Sequence, residues 1–294
     1  METKRTIFPN KGLPYAFIAP QLIITLIFFI WPAGQAVKSS FERQDPFGLS
    51  TTFVGFSHYA RLLADPSYLA AIGRTFVFAG AVTVVSMGLG LLLAMAVSRV
   101  IRTSQFYSTM LVWPYAVAPV VAGILWWFIF NTGTGILPYA LKAFGVNWNH
   151  QLNGTHAMIL IIVAASWKQV SYNFLFFLAG MQSIPHSLTE AAAIDGAGPL
   201  KRFWTIILPL ISPTTFFLFI VNVNYTMFDT FGIIAATTSG GPNQATSVLV
   251  YKVYSDGIIG LNIGSSSAQS VLLMLMVVIL TFVQFRFVER RVQY

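Results

Sequence analysis

The sequence predicts an all-α membrane protein: six transmembrane helices, one polar helix–turn–helix loop, and both termini on the cytoplasmic side with that loop. Three observations carry this. Of 294 residues, 56% are hydrophobic and only 9% charged, with a mean hydropathy of +0.71, whereas soluble domains carry roughly 25% charge. Six apolar runs are each about 20 residues long, the length that crosses a bilayer. Lys and Arg are also distributed unevenly between the two sets of loops, which sets the orientation.

The elements follow in order. Met1 to Gly12 is a short polar leader with Lys4, Arg5 and Lys11. The apolar run that follows is too long for a signal-peptide core, so residues 13–37 are expected to be an uncleaved first span. Lys38 to Gly73 carries Asp45-Pro46-Phe47-Gly48 and Asp65-Pro66, both turn signals, and reads as an external loop. The second span is expected over 75–97, where Gly80, Gly88 and Gly90 allow close helix packing. Arg99 and Arg102 occupy a short turn. The third span, 107–130, contains Pro114 and Pro119, which free backbone carbonyls at membrane depth; both a translocation path and plain helix packing accommodate that. Asn131 to Thr155 is a Gly- and Asn-rich external loop. The fourth span covers 156–182, the fifth 214–236 and the sixth 267–287. Ser239-Gly240-Gly241-Pro242 opens the third external loop. No repeat or linker interrupts the chain, and a single domain of residues 1–294 is expected.

One side carries Lys4, Arg5, Lys11, Arg99, Arg102, Lys201, Arg202, Arg286, Arg290 and Arg291, and the other Lys38, Arg43, Arg61, Arg74, Lys142 and Lys252. The excess of 10 over 6 places the first set in the cytoplasm. Flanking bases of this kind account for the net charge of +8 without nucleic acid. With no cysteine there is no disulfide framework or thiolate metal site.

Residues 183–213 form the longest stretch that is neither span nor simple loop. Ser187 with Glu190 three residues on has capping-box spacing. Gly196 suits the left-handed residue that ends a helix, Pro199 suits the first turn of the next, and Pro209 and Pro213 break the chain before the fifth span. The expectation is two short helices joined at glycine.

This stretch resembles the cytoplasmic coupling loop of permease subunits in ATP-binding-cassette importers. That signature reads Glu-Ala-Ala, three residues, Gly, nine residues, Ile, one residue, Leu-Pro, and falls on Glu190, Ala191, Ala192, Gly196, Ile206, Leu208 and Pro209. The span order and the Ser-Gly-Gly-Pro segment look like the carbohydrate-type permeases. More narrowly, Ala19 to Gly34, Trp113 to Trp126, Trp167 to Phe177 and Ser183 to Pro199 resemble the permeases of bacterial sn-glycerol-3-phosphate importers. The resemblance implies a multi-pass protein of the bacterial inner membrane that moves sn-glycerol 3-phosphate, with glycerophosphodiesters a further candidate cargo. It implies a heterodimer with a second permease, two ATPase subunits and an extracytoplasmic solute-binding protein, with membrane lipid around it. It also implies that Glu190, Ala191, Ala192, Asp195 and Gly196 meet the ATPase. This chain shows no Walker-type phosphate loop, so ATP and Mg belong to that partner, and no cofactor is expected here.

Two charges lie deep inside spans, Lys168 and Asp229. At about 1.5 Å per residue both stand roughly 21–22 Å from the inner ends of the fourth and fifth spans. Buried charges of this kind face a cavity or a partner. Asn222, Tyr225, Thr226 and Asp229 share a face at helical spacing, as do Lys168, Ser171 and Tyr172. Lys168, Ser171, Tyr172, Asn222, Tyr225 and Asp229 are therefore the candidate substrate path, with Lys168 drawing an anionic phosphate. A Lys168–Asp229 pair that only ties two helices together remains open. Trp113, Trp126, Trp127, Trp148 and Trp167 could stack on solute or serve packing and the interfacial belt. His58, His150, His156 and His186 lack metal-ligand spacing and are assigned no site. No nucleophile–base grouping or paired carboxylates points to catalysis. A neutral-sugar permease of the same class is the first alternative. An ion-coupled secondary transporter using Lys168 and Asp229 as a relay is the second, although no inverted repeat is visible.

Overall fold

The computed structural model describes residues 13–45, 50–98 and 104–288. The basic residues Lys4, Arg5, Lys11, Arg99, Arg102, Arg290 and Arg291, and most of the Asp45–Gly48 turn, lie outside them. Among the described residues four helices are long and apolar enough to cross a membrane: Pro14–Ser40, Pro66–Ser98, Gly154–Gln182 and Ile263–Arg286. Two bent pairs bring the number to six if each is one crossing: Phe106–Ala116 with Pro119–Phe130, and Pro199–Leu210 with Ser212–Asp229.

By packing, the described residues up to Leu62, together with Asp256–Leu272, form one compact unit. Leu63–Ser255 and the described residues from Leu273 form another. In the first unit the initial span leaves its apolar side chains exposed, as a surface meant for lipid or another chain does. Beyond it a two-stranded hairpin, Glu42–Gln44 with Thr51–Phe53, and the helix Ser57–Ala64 replace the open loop the turn signals suggested. Tyr59 donates to Ser40 Oγ at 2.7 Å, and Phe41 meets Phe56 edge-on at 5.3 Å.

In the second unit the second and fourth spans pack face to face. The second starts at Pro66, nine residues before the expected Thr75. Asp65-Pro66 is a helix start and not a turn: the Asp65 carboxylate accepts the Ser67 N–H at 2.9 Å, and proline at the first helical position loses no needed donor. Of the three glycines expected to allow packing, only Gly90 does so. A Cβ there would stand 2.6 Å from the Asn173 Cβ and 3.0 Å from the Phe174 backbone nitrogen, whereas Gly80 and Gly88 face open space. Gly90→Ala is expected to cost about 1–3 kcal/mol through overpacking, while Gly88→Ala is near neutral. The melting temperatures of the two detergent-purified variants check this, and equal values would refute the close approach.

The fourth span, Gly154–Gln182, is capped by Asn153, whose side chain accepts the Thr155 and His156 N–H groups at 2.9 and 3.2 Å. It begins two residues earlier than expected. Phe78 and Val82 of the second span, Ile161, Ala164 and Ala165 of the fourth, and Ile233 and Ile234 form a fully buried core. The segment after the third span, expected to be an external loop, is not all loop, since Ile136–Ala143 is helical.

The third and fifth spans differ most from expectation. The third is not one helix: its halves meet at 100° across Val117-Ala118, because Pro119 opens a new helix and cannot continue the first. Near the fifth span the break falls at Ile211, with a 68° bend, and Pro209 stays inside the preceding helix. Pro213 occupies the first turn of Ser212–Asn224. That helix widens into a π turn over Tyr225–Asp229 and resumes as Phe231–Thr237, so the expected single helix over 214–236 is interrupted.

Candidate functional site

The loop between the fourth and fifth spans folds as two helices, His186–Ile194 and Pro199–Leu210. The first does not use the predicted capping box. It begins at His186 after Pro185, no side chain caps it, and Ser187 already lies inside its first turn. The proline's fixed φ starts the helix two residues too early for Ser187 to cap it. The end of this helix matches the expectation. Gly196 has φ +78°, its N–H donates to the Ala193 carbonyl at 3.1 Å, and the Ala197 N–H donates to the Ala192 carbonyl at 2.9 Å. These are the two bonds of a Schellman stop, which requires a left-handed residue at that position. Arg202 donates to the Thr189 carbonyl at 3.3 Å and ties the two helices together. Glu190, Ala191, Asp195 and Gly196 are exposed and Ala192 half-buried. Ile194 is 87% exposed, and the first helix buries none of its residues in this chain.

Deep in the membrane-spanning part of the second unit is a cavity of about 680 Å3. Tyr115 and Pro119 line it from the broken third span, and Lys168, Gln169 and Tyr172 from the fourth. Val221, Asn224, Tyr225 and Asp229 line it from the fifth. Lys168 and Asp229 are the charged residues of this lining. Lys168 is 9% exposed; its Nζ donates to the Tyr115 carbonyl at 2.7 Å and sits 4.8 Å from the centre of the Tyr115 ring. The reason lies in the break. In a continuous helix the Tyr115 carbonyl would accept the N–H of residue 119, but Pro119 has none. The carbonyl freed by Pro119 is thus taken by the ammonium group. Tyr172 packs at 5.4 Å from the Tyr115 ring and 4.7 Å from Phe176. The Tyr225 hydroxyl donates to the Ala165 carbonyl at 3.3 Å.

Four of the six predicted path residues, Lys168, Tyr172, Tyr225 and Asp229, come together in this cavity. The Lys168–Asp229 pair that the sequence left open does not form. An ion pair does form elsewhere, between Lys38 and Glu42 at 3.8 Å. Ser171 is buried and outside the lining. Asn222 is fully buried elsewhere, accepting Ser86 Oγ at 2.8 Å and Asn173 Nδ2 at 3.1 Å. It donates to Asn173 Oδ1 and the Leu218 carbonyl, each at 2.7 Å. Thr226 is fully buried as well. The π turn explains the rotation. In a straight α-helix Asp229 would stack over Asn222 and Thr226, but the wider turn at Tyr225–Asp229 brings it round beside Val221 and Tyr225. Pro119, Tyr115, Gln169, Val221 and Asn224 were not singled out as path residues. The proline was the one legible signal among them.

Asn222→Leu is expected to strand buried partners on Ser86 and Asn173, at about 1–3 kcal/mol for a buried group left unsatisfied. The result is lower yield and melting temperature with solute preference unchanged. A changed preference in the folded variant would place Asn222 on the path after all.

Residues 86–294 match the family described as "Binding-protein-dependent transport system inner membrane component". The chain is 57% identical over 291 residues to the sn-glycerol-3-phosphate transport system permease protein UgpA of Rhizobium meliloti (strain 1021), covering 99% of each. It is 58% identical over 288 residues to the protein of that name in Agrobacterium fabrum (strain C58), covering 98% of each. Its identity to the one in Escherichia coli (strain UTI89) is 53% over 294 residues, covering 100% of each. Among solved structures, a chain of a bacterial alginate ABC transporter in complex with an alginate pentasaccharide-bound periplasmic protein superposes with TM-score 0.80 at 21% identity. That superposition covers 95% of this chain and 94% of the other. A chain of the inward-facing MetNI methionine ABC transporter gives 0.53 at 18%, covering 81% and 99%. These likenesses show the fold. With its broken spans, buried lysine and exposed helical loop, this multi-pass chain belongs to the inner membrane permease components of binding-protein-dependent ATP-binding-cassette importers.

Proposed function

We propose that this chain is one of two permease subunits in an importer of sn-glycerol 3-phosphate, and that it works by alternating access without catalysing a reaction itself. The observation that carries the reading is whole-length identity of 53–58% to permeases of that name. The cavity agrees with it chemically. Its one cation, Lys168, is held by a backbone carbonyl and an aromatic face, both neutral, so an arriving phosphate can take it over without first breaking an ion pair. Tyr172, Gln169 and Asn224 offer neutral polar groups to the glycerol hydroxyls, and Asp229 discourages an anion bound further along.

The remaining machinery is a second permease subunit, two ATPase subunits that use ATP and Mg, and an extracytoplasmic binding protein. The positive-inside count puts the 186–210 loop on the ATPase side. There Glu190, Ala191 and Asp195 present polar and small groups on an exposed helix, and Ile194 an apolar one. The test is uptake by the reconstituted complex of labelled sn-glycerol 3-phosphate against unlabelled competitors. Excess sn-glycerol 3-phosphate is expected to block uptake and maltose-like sugars to leave it unchanged. Inhibition by neutral sugars alone would transfer the assignment to a neutral-sugar permease.

A further inference from the structure

A second cavity, of about 450 Å3, opens where the second span, the start of the fourth and the segment after the fifth meet. Arg74, Asn153, Gly154, Thr155, Met158 and Ala245 line it, all within the second unit. Three contacts fix its walls. Ser67 Oγ donates to the Gln244 side chain at 2.9 Å, and Thr75 Oγ1 accepts the Leu249 N–H at 2.9 Å, so the segment 244–249 is pinned to the second span on both sides of Arg74. A Cβ at Gly154 would stand 2.5 Å from that of Ala245, so glycine is what lets this segment close on the helix end.

Arg74 is the charged residue of the lining, which holds no Asp or Glu. It is half-buried, and its Nη1 donates to the Ser247 carbonyl at 3.3 Å. A guanidinium carries five N–H groups, so donors remain for a ligand. The start of the fourth span adds little, because the Asn153 side chain already accepts the Thr155 and His156 N–H groups. The anion preference of this space therefore comes from Arg74, whose planar fork matches phosphate geometry. Its setting repeats that of Lys168: each cation is held by a neutral backbone carbonyl. Such a cation is preorganised and meets an arriving anion without first breaking an ion pair. Both sites draw on the fourth span. Fourteen residues separate Gly154 from Lys168, about 21 Å along the axis, and positive-inside orientation makes the Gly154 end the outer one. A water occupies about 30 Å3 of liquid, so the space holds a phosphate group together with several waters.

We propose that the Arg74 cavity is an outer capture site for the phosphate group of the solute, which it takes before the solute reaches Lys168. That the phosphate is the solute's rests on the sn-glycerol 3-phosphate reading above. The chain has no cysteine, so Thr155→Cys gives it a single thiol, at an exposed position on the cavity wall. Modification of that thiol by a neutral methanethiosulfonate is followed on this chain, in the importer complex without its binding protein, in phosphatidylcholine nanodiscs. Inorganic phosphate and sn-glycerol 3-phosphate are each expected to slow modification saturably, and glycerol to leave it unchanged. Arg74→Gln raises the concentration needed for protection about 10–100-fold, the worth of a hydrogen bond to a charged group, and Arg74→Lys restores part of it. Lys168→Ala leaves protection unchanged. In uptake assays with the binding protein present, Arg74→Gln slows transport at limiting solute and approaches the wild-type rate at saturation.

Absence of protection by either anion with Arg74 intact overturns the proposal, and that comparison needs no Arg74 variant to fold. Protection that survives Arg74→Gln places the anion elsewhere, the Lys168 cavity included, and overturns it whatever Lys168→Ala does. Slower modification without added anion when phosphatidylglycerol replaces part of the phosphatidylcholine, reversed by Arg74→Gln, gives the site to a lipid headgroup and overturns solute capture. Protection through Arg74 without an uptake defect in folded Arg74→Gln overturns the capture role. Protection through Arg74 in a complex that does not transport sn-glycerol 3-phosphate leaves the anion site standing and fails the function reading alone.

Discussion

Lys168→Ala is expected to cut uptake roughly 10–100-fold, and adding Asp229→Ala is expected not to restore it. The geometry makes the two readings of these charges separable. Had Lys168 and Asp229 been paired, each single variant would leave an uncompensated buried charge and the double variant would be milder. Instead the ammonium group rests on the Tyr115 carbonyl at 2.7 Å and over that residue's ring, and Asp229 is exposed to the cavity. Removing Lys168 therefore strands no paired carboxylate and leaves assembly close to normal. What is lost is the charge-assisted bond to a phosphate, worth about 1.5–3 kcal/mol, or roughly 10–100-fold in uptake. The same variant is expected to lose any preference for phosphorylated over neutral polyols. Uptake, complex yield and competition by neutral polyols, measured on both single variants and the double variant, decide the matter. Recovery of uptake in the double variant would sink the phosphate role.

Gly196→Val is expected to uncouple the complex, which either assembles poorly or hydrolyses ATP without moving solute. The cause is local. Gly196 holds φ +78°, where a β-branched residue is strained by about 1–3 kcal/mol, although a Cβ there would meet nothing within 4 Å. The strain thus acts on the Schellman stop alone, and with it on the angle at which the exposed helix His186–Ile194 is presented. Gly196→Asn, which tolerates the left-handed region, is expected to keep most activity. ATPase and uptake rates measured on the same preparation give the coupling ratio. Wild-type uptake by Gly196→Val would count against the helix–turn–helix as the coupling element.

What was legible in the sequence is what depends on local chemistry or on solvent. The number of spans follows from apolar length, because the bilayer sets that length independently of any neighbour. The Gly196 turn was legible because few residues accept positive φ. The placement of two charges at one depth follows from counting along helices. Tertiary structure decided the rest. Whether Gly80, Gly88 or Gly90 meets a neighbour depends on which face of the second span turns to the fourth, and all three are alike in sequence. A Pro119 that frees a carbonyl was visible, but that Lys168, 49 residues on, takes the carbonyl of Tyr115 is a matter of packing between spans. The π turn at Tyr225–Asp229 leaves no mark in the residue pattern, yet it turns Asp229 into the cavity and leaves Asn222 in the core. The same limit applies to His150. Near a loop and without ligand spacing it carried no signal, and only the packing around it buries both ring nitrogens.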